Sequence, residues 1–369
     1  MNIRLLIILA GLLIISRSGL SACVADVPAR NDVFPLQGNN ITVGSDIPLG
    51  TIIYRQKIHS YKDFSKAPHM TCSSLTSPPF KEEQYIYLTN APLGLSSWQG
   101  GAFAGKIFST NVPGIGVVIS HNNEKSAYDL SRRLFYSRST NGLVNVQMWA
   151  DTKLLLVKTG QISPGMISGI KLPTIQYQDV YYNSAGTKIV DFKPYTFSFN
   201  GTLNVVSETC KTTDSIVELG SWDVIQFKKI GYSSWRRSDI KLESCPRFHG
   251  MVSGVTTDHL TSKNTDLAYL NNAFGLILHP LTRVHDAEQG IMEIQKDTNY
   301  ALGVGIQVAL ENDAGSILPV TFDVEKKIDA PTDGSRSVII PLKARYVKID
   351  DVVTPGPATG RLMFTINYY

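Results

Sequence analysis

The sequence predicts an all-β protein built of two β-sandwich domains in series. Short segments rich in β-branched and aromatic residues alternate with Gly, Pro and Asn along the whole chain. No long amphipathic helical period interrupts them. The length of 369 residues exceeds that of one ordinary domain, and the four cysteines fall two in each half. These observations together favour two domains over one.

Residues 1–22 have the features of a signal peptide. Arg4 precedes an apolar run from Leu5 to Ile15, and small residues follow up to Ala22. The run is shorter than a membrane-spanning helix. We therefore expect the segment to be removed during export, with cleavage near Ala22 or near Ala25. An alternative is a lipoprotein signal that ends at a lipidated Cys23.

The cysteines of an exported chain are expected to pair. Proximity in the sequence pairs Cys23 with Cys72 and Cys210 with Cys245. Neither pair has the spacing of a zinc site or of a redox Cys-x-x-Cys motif. We expect two structural disulfides, one in each domain.

The first half contains several segments typical of strands. They are Gln84–Leu88, Gly116–Ser120, Val144–Trp149 and Lys153–Val157. Lys193-Pro194 marks a change of segment, which predicts a boundary there. We therefore expect one domain over residues 23–195 and a second over residues 196–369.

The second half also contains short strand-like segments, and it ends in a clear strand. Its earlier strand-like segments are Ile216–Leu219, Leu302–Leu310, Pro319–Val324 and Val338–Leu342. At the end, Leu362, Phe364, Ile366 and Tyr368 occupy every second position, which predicts a strand with one apolar face. Because nothing follows Tyr369 in this sequence, any strand beyond it must come from elsewhere in the chain or from another chain.

Composition and motifs argue against several functions. A formal net charge of +4, without a run of Lys or Arg, gives no reason to expect nucleic-acid binding. We find no nucleophile elbow, zinc-protease motif, phosphate loop or dinucleotide fingerprint. We therefore expect no enzyme, no cofactor and no metal. A secreted carbohydrate-active enzyme remains an alternative, since two distant carboxylates leave no motif.

Landmarks of the second half resemble the pilin domain of the chaperone-usher fimbrial family. Gly356 is the fourteenth residue from the end and Tyr368 the penultimate one, both of which are typical of that family. The other landmarks run in the family's order: Phe199–Leu203, Cys210, Cys245 and Gly303–Val308. Upstream, Ile107–Val117 and Val146–Gly169 resemble segments of the lectin domains of the type 3 and mannose-binding type 1 fimbrial adhesins.

This resemblance implies a two-domain tip adhesin, exported through the periplasm to the cell surface and placed at the fimbrial tip. Residues 23–195 would form the receptor-binding, lectin-like domain, and residues 196–369 the pilin domain. Both would be immunoglobulin-like or jelly-roll-type sandwiches, and the pilin domain would lack its last strand. A structural or initiating minor fimbrial subunit without receptor binding remains an alternative.

The resemblance also names partners and contact residues. The missing strand would come first from a periplasmic chaperone and then, at the outer-membrane usher, from an adjacent fimbrial subunit. A strand-sized gap leaves an unpaired edge beside an open apolar groove, which another strand can fill. The residues expected to contact that strand are Gly356, Leu362, Phe364, Ile366 and Tyr368.

For the receptor, the resemblance implies a site where Cys23–Asp26, Ser73–Glu83 and Pro173–Asn183 meet, the last two as loops. Amides, carboxylates and aromatic rings suit a sugar, and a basic side chain suits an acidic glycan or a matrix protein. The residues expected to contact a host glycan or matrix protein are Gln176, Tyr177, Gln178, Asp179, Tyr181 and Arg133. The paired Asn-Asp expected after Cys72 is absent, so mannose specificity is not implied.

Overall fold

The computed structural model describes residues 23–59, 64–72, 80–121, 124, 126–140, 145–147, 151–259, 261, 263–265, 267–312 and 314–369. The expected signal peptide, residues 1–22, and most of the expected loop Ser73–Glu83 lie outside these residues. Within them the protein is mostly β. No helix in the described ranges is long and apolar enough to cross a membrane.

Sixteen strands and two 3₁₀ turns, Phe64–Lys66 and Gly169–Lys171, form the part of the described chain up to residue 206. The strands are β1 (Cys23–Val27), β2 (Arg30–Pro35), β3 (Asn40–Thr42), β4 (Ile52–His59), β5 (His69–Cys72), β6 (Phe80–Asn90), β7 (Phe108–Ser109), β8 (Ile115–His121), β9 (Arg133–Thr140), β10 (Asn145–Gln147), β11 (Asp151–Lys158), β12 (Gly165–Ser168), β13 (Thr174–Tyr182), β14 (Lys188–Phe192), β15 (Tyr195–Asn200) and β16 (Thr202–Val206).

The remaining part contains fourteen strands and one α-helix, α1 (Val224–Ile230), in the described residues. The strands are β17 (Lys211–Thr212), β18 (Arg236–Arg237), β19 (Ile240–Glu243), β20 (Met251–Asp258), β21 (Ala268–Leu270), β22 (Ala273–Pro280), β23 (Val284–Asp286), β24 (Ile291–Glu293), β25 (Val304–Glu311), β26 (Ile317–Pro319), β27 (Lys326–Asp329), β28 (Val338–Ile340), β29 (Leu342–Lys348) and β30 (Leu362–Tyr368).

Two large sheets enclose the front core. One has the strand order β21-β20-β4-β11-β8-β7, and the other has the order β2-β15-β13-β6-β9 with β14 beside β13. Side chains from both sheets fill one apolar cluster, for example Ile53 and Leu156 from the first and Tyr177 from the second, each fully buried. Two smaller sheets, β1-β5-β10 and β12-β16-β3, complete this half.

Later strands contribute to the front half. β15, β16 and β20 each pair in parallel with an early strand: β2, β3 and β4 respectively. Phe197, Leu203 and Val252 from these strands lie in the front core. The boundary at 195/196 stays a prediction, but the packing shows that the front core draws on residues well beyond Tyr195.

The back half has its own core between the sheets β17-β19-β28, β18-β29-β25-β24-β23 and β27-β22-β30. Its buried members include Leu242, Phe274 and Ile340. The disulfide Cys210–Cys245, with Cα atoms 4.1 Å apart, closes a loop at its edge and confirms that predicted pair. Cys23 is also disulfide-bonded, and the β1–β5 register places Cys72 opposite it.

Several strand predictions are confirmed: Gln84–Leu88, Gly116–Ser120 and Lys153–Val157 lie within β6, β8 and β11. Of Val144–Trp149, only β10 lies in the described part. Two predictions are wrong. Ile216–Leu219 has no regular structure. Leu219 is buried, whereas Ile216 is 93% exposed. Pro319–Val324 begins at the end of β26 and then turns, with Asp323 at φ 60°.

Candidate functional site

β30 is an edge strand with a free hydrogen-bonding side. In the described structure it pairs with β22 and with no other strand. Tyr369 and Ala273 exchange backbone hydrogen bonds of 2.8 and 3.0 Å, and the Leu281 N–H donates to the Arg361 carbonyl. In an antiparallel ladder every second residue bonds to the partner strand. The backbone groups of Leu362, Phe364, Ile366 and Tyr368 therefore point away from β22.

The side chains of those same four residues point into the back core. Tyr368 is buried, and its ring packs edge-to-face on Phe274 with centroids 5.6 Å apart. Its hydroxyl accepts the Cys210 N–H at 3.1 Å. Leu362, Phe364 and Ile366 are only half-buried against the core cluster. An unpaired backbone edge thus lies beside an incompletely covered apolar surface, which together form a strand-sized groove.

Gly356 lies away from this edge. Its φ is +156°, and a Cβ at this position would be 2.5 Å from the Ala301 nitrogen and 2.7 Å from the Asn299 carbonyl oxygen. The glycine is therefore required for close packing of the segment before β30 against residues 299–301. Its expected contact with an incoming strand stays a prediction.

In the front half, the prediction that Pro173–Asn183 is a loop is wrong, because residues 174–182 form β13. β13 lies between β6 on one side and β14 and β15 on the other. Gln176, Tyr177, Gln178, Asp179 and Tyr181 are all at most 7% exposed. A strand buried on both faces carries no alternating polar pattern that sequence inspection can recognise.

The alternation of β13 divides the predicted ligand residues between two faces. Tyr177 and Tyr181 join apolar clusters between the sheets, and Asp179 lies on the same side. Gln176 and Gln178 lie on the outer face opposite Tyr87 and Tyr85. Their amides are satisfied within the protein: Gln176 donates to the Tyr195 carbonyl, and Gln178 donates to Asp191. The structure therefore does not bring the five together at one exposed surface.

A polar network surrounds Asp179 in the interior. Gln84 donates to Glu82 at 3.0 Å and to Asp179 at 3.4 Å, and Arg138 pairs with Glu82. Oδ1 of Asp179 has no hydrogen-bond partner among the described residues. Burial, together with the nearby Glu82 charge, raises the pKa of Asp179 to about 8. The carboxyl group therefore holds its proton near neutral pH.

The three segments expected to form the receptor site do meet at one end of the front half. Phe80 and Tyr181 belong to a small apolar cluster with Val190 and Phe192, and Cys23 packs against it. Residues 73–79 lie outside the described part. Arg133 is well exposed, and it pairs with Asp129 at 2.8 Å. Its neighbour Arg132 stacks on the Tyr85 ring at 3.8 Å. Contact of any of these residues with a receptor stays a prediction.

Sequence inspection missed one contact at the groove. The turn formed by Gly44, Ser45 and Asp46 lies against the end of β30, where Asp46 bonds to the backbone of Tyr368. No local pattern predicts this contact, because the two partners are 322 residues apart. Among the described residues, no group of three or more His, Cys, Asp or Glu side chains is arranged to hold a metal ion.

The back half of the described structure is thus a β domain with one unpaired strand edge beside a half-covered apolar surface. Residues 197–369 match the family model described as Fimbrial protein, so this half is a fimbrial protein domain. No match was found among the curated proteins.

Solved structures show broader likenesses. The chain is similar to the CupB6 tip adhesin from Pseudomonas aeruginosa, with 16% identity, coverage of 94% of each chain and a TM-score of 0.33. It is similar to the receptor binding domain of the adhesin MrkD1P of Klebsiella pneumoniae, with 19% identity, coverage of 52% and 98%, and a TM-score of 0.32. It is also similar to the P pilus rod subunit PapA, with 18% identity, coverage of 44% and 100%, and a TM-score of 0.30.

Proposed function

We propose that this chain is a non-enzymatic fimbrial tip adhesin. Its back half accepts a strand that joins it to the fimbria, and its front half attaches to a host glycan or matrix protein. The observation that supports the proposal best is the free edge of β30 at Leu362, Phe364 and Ile366, above side chains that remain half-buried. Such an edge is costly until a strand fills it. The family match covers the same residues.

The chemistry of the groove specifies its occupant. An incoming strand beside β30 must offer backbone groups to the outward-facing N–H and carbonyl groups, and apolar side chains at alternate positions to cover the half-buried surface. A periplasmic chaperone supplies this strand first. At the outer-membrane usher, an adjacent subunit then replaces it. The presence of a domain in front of the fimbrial domain supports a position at the fimbrial tip.

The test of strand acceptance is co-purification. The full chain, produced in the periplasm with the chaperone of a fimbrial system, is expected to co-purify as a one-to-one complex. In the complex, the amides of Leu362, Phe364 and Ile366 are expected to become protected from hydrogen exchange. A folded chain without a chaperone, with these amides exchanging freely, would contradict the proposal.

The test of adhesion is a binding array that presents glycans and matrix proteins to the chaperone-bound full chain. A fragment that ends at residue 195 is unsuitable, because β15, β16 and β20 pair with front strands. Saturable binding to one class of receptor is expected. Absence of binding across the array, with immunogold labelling along the shaft, would favour the alternative of a minor structural subunit.

A further inference from the structure

One end of the open edge is already occupied by the front half. The Asp46 N–H donates to the Tyr368 carbonyl at 3.2 Å, and the Tyr368 N–H donates to Asp46 Oδ2 at 2.9 Å. These are the two outward-facing backbone groups of Tyr368. Asp46 therefore satisfies the same donor and acceptor that a neighbouring strand would satisfy, using one backbone and one side-chain group.

The turn that carries Asp46 is fixed to the front half. Val43 and Ile47, on either side of the turn, are 0% and 4% exposed in the front core. Lys158, itself 4% exposed, donates to the Gly44 carbonyl at 3.3 Å and to the Ser45 carbonyl at 2.5 Å. Ser45 donates to Asp46 Oδ2 at 2.8 Å. The front core therefore fixes the position of Asp46.

The turn packs closely against β30 at this point, so another strand can pair with Tyr368 only if the hold of Asp46 on Tyr368 is released and the turn moves. A Cβ on Gly44 would lie 2.0 Å from the Tyr368 carbonyl oxygen and 2.7 Å from the Tyr369 nitrogen. Asn272 connects the same region, since its amide donates to the Thr42 carbonyl at 2.9 Å and to the Tyr369 carbonyl at 3.1 Å. The edge thus has three free positions, at Leu362, Phe364 and Ile366, and a closed fourth position at Tyr368.

We propose that the Gly44–Asp46 turn is a register stop, which ends the strand bound in the groove opposite Ile366. This inference rests on the proposed strand acceptance and adds a specificity element to it. A strand with three apolar residues at alternate positions fills the available edge. Asp46 occupies the position that a fourth such residue would take. The front half therefore determines how much of β30 the bound strand covers.

Two synthetic probes test the stop. The short probe has seven residues with apolar side chains at positions 2, 4 and 6. The long probe adds one further alternating pair, placed at either end in two versions because the strand direction is not prescribed. The full chain is refolded from denaturant with a fluorescent probe, and affinity is measured by anisotropy. The variants are Asp46→Ala, which removes the carboxylate, and Asp46→Pro, which also removes the backbone N–H.

Wild-type chain is expected to bind the long probe within about twofold of the short one. In Asp46→Ala and Asp46→Pro, one version of the long probe is expected to bind about fivefold more tightly or better, since a ladder position is regained. Asp351→Ala, at a fully exposed carboxylate paired with Lys348, is the matched control and should behave as wild type.

Three outcomes would overturn this. A fivefold preference of the wild type for a long probe means that Tyr368 is accessible. Equal affinities for short and long probes in both Asp46 variants mean that the turn does not limit the register. Failure of every chain to bind either probe contradicts strand acceptance itself, and so separates the proposed function from the stop. Hydrogen exchange gives a second readout: the Tyr368 amide should be protected in the probe-free wild type and lose protection in Asp46→Ala.

Discussion

β13 and β30 are two strands with opposite surroundings. β13 has neighbours on both sides, and every predicted ligand residue on it is at most 7% exposed. β30 has a neighbour on one side, and three of its four core-facing side chains are half-buried. β13 is paired on both sides within the described chain, whereas β30 has one unpaired side. We therefore interpret β13 as a structural strand and propose that β30 takes part in assembly.

The front and back halves differ in which segments they draw from distant parts of the sequence. The front half recruits β15, β16 and β20 by parallel pairing, so its sheets are extended by strands from much later in the sequence. The back half contacts the Gly44–Asp46 turn of the front half, which covers a single ladder position of β30. Perturbations of β13 and its neighbours should therefore act on stability, and perturbations of β30 on strand acceptance.

The largest effect on strand acceptance is expected from Phe364→Asp. A charge placed on the core-facing side of β30 would meet an incoming apolar strand and remain unpaired. We expect recovery of the chaperone complex to fall about tenfold or more, equivalent to about 1.4 kcal/mol or more. Met363→Asp is the matched control, because Met363 is 52% exposed on the other face. Equal recovery of the two variants would contradict the groove.

Removal of the disulfide in the back half should have the largest effect on stability. In Cys210→Ala/Cys245→Ala, a loop closed over a separation of 35 residues is released. We expect the free energy of unfolding to fall by about 2 to 5 kcal/mol, measured by urea unfolding of the strand-bound full chain. A fall below about 1 kcal/mol would show that the pair does not constrain this half.

A pH effect is expected where the later strands join the front core. His259 follows β20, is 1% exposed, packs on Tyr195 and Phe197, and has no hydrogen-bond partner at either ring nitrogen among the described residues. Burial lowers its pKa from the model-peptide value of 6.5 to about 4. The unfolded chain therefore binds the proton first as the pH falls.

Stability from this group should thus be lost as the pH falls from about 6.5 to about 4, by up to about 3 kcal/mol at 1.36 kcal/mol per pKa unit. Urea unfolding at pH 7 and pH 4.5 measures the loss. His259→Phe keeps an aromatic ring without a titrating nitrogen and should lose less stability over this interval. The same pH dependence in both chains would assign it to other titrating groups.

The sequence reveals one of these strands and conceals the other for physical reasons. Leu362 to Tyr368 alternates because one face of β30 carries apolar side chains toward the core and the other carries Met363, Thr365 and Asn367. β13 reads Thr-Ile-Gln-Tyr-Gln-Asp-Val-Tyr-Tyr, and its polar residues find partners such as Gln84 and Asp191 on neighbouring strands. Such partners, like the pairing of β4 with β20 or the Asp46 contact, depend on residues far apart in the sequence.

The sharpest test of the role of β13 is expected from Asp179→Asn. Because the pKa of Asp179 is raised to about 8, the unfolded chain loses this proton first as the pH rises above about 4. Wild-type stability from this group is therefore lost between about pH 4 and pH 8. An amide has the shape of the protonated carboxyl group and does not titrate, so the variant avoids this loss.

We expect Asp179→Asn to be more stable than wild type by about 1 to 3 kcal/mol at pH 7, and nearly equal to it at pH 4. Asp191→Asn is the matched control on the outer face. Although burial raises the pKa of Asp191, hydrogen bonds from Lys188 and Gln178 lower it overall, so that variant should lose stability at pH 7. A loss of stability in Asp179→Asn at pH 7 would mean that the ionised carboxylate is required for stability, which would contradict the raised pKa of Asp179.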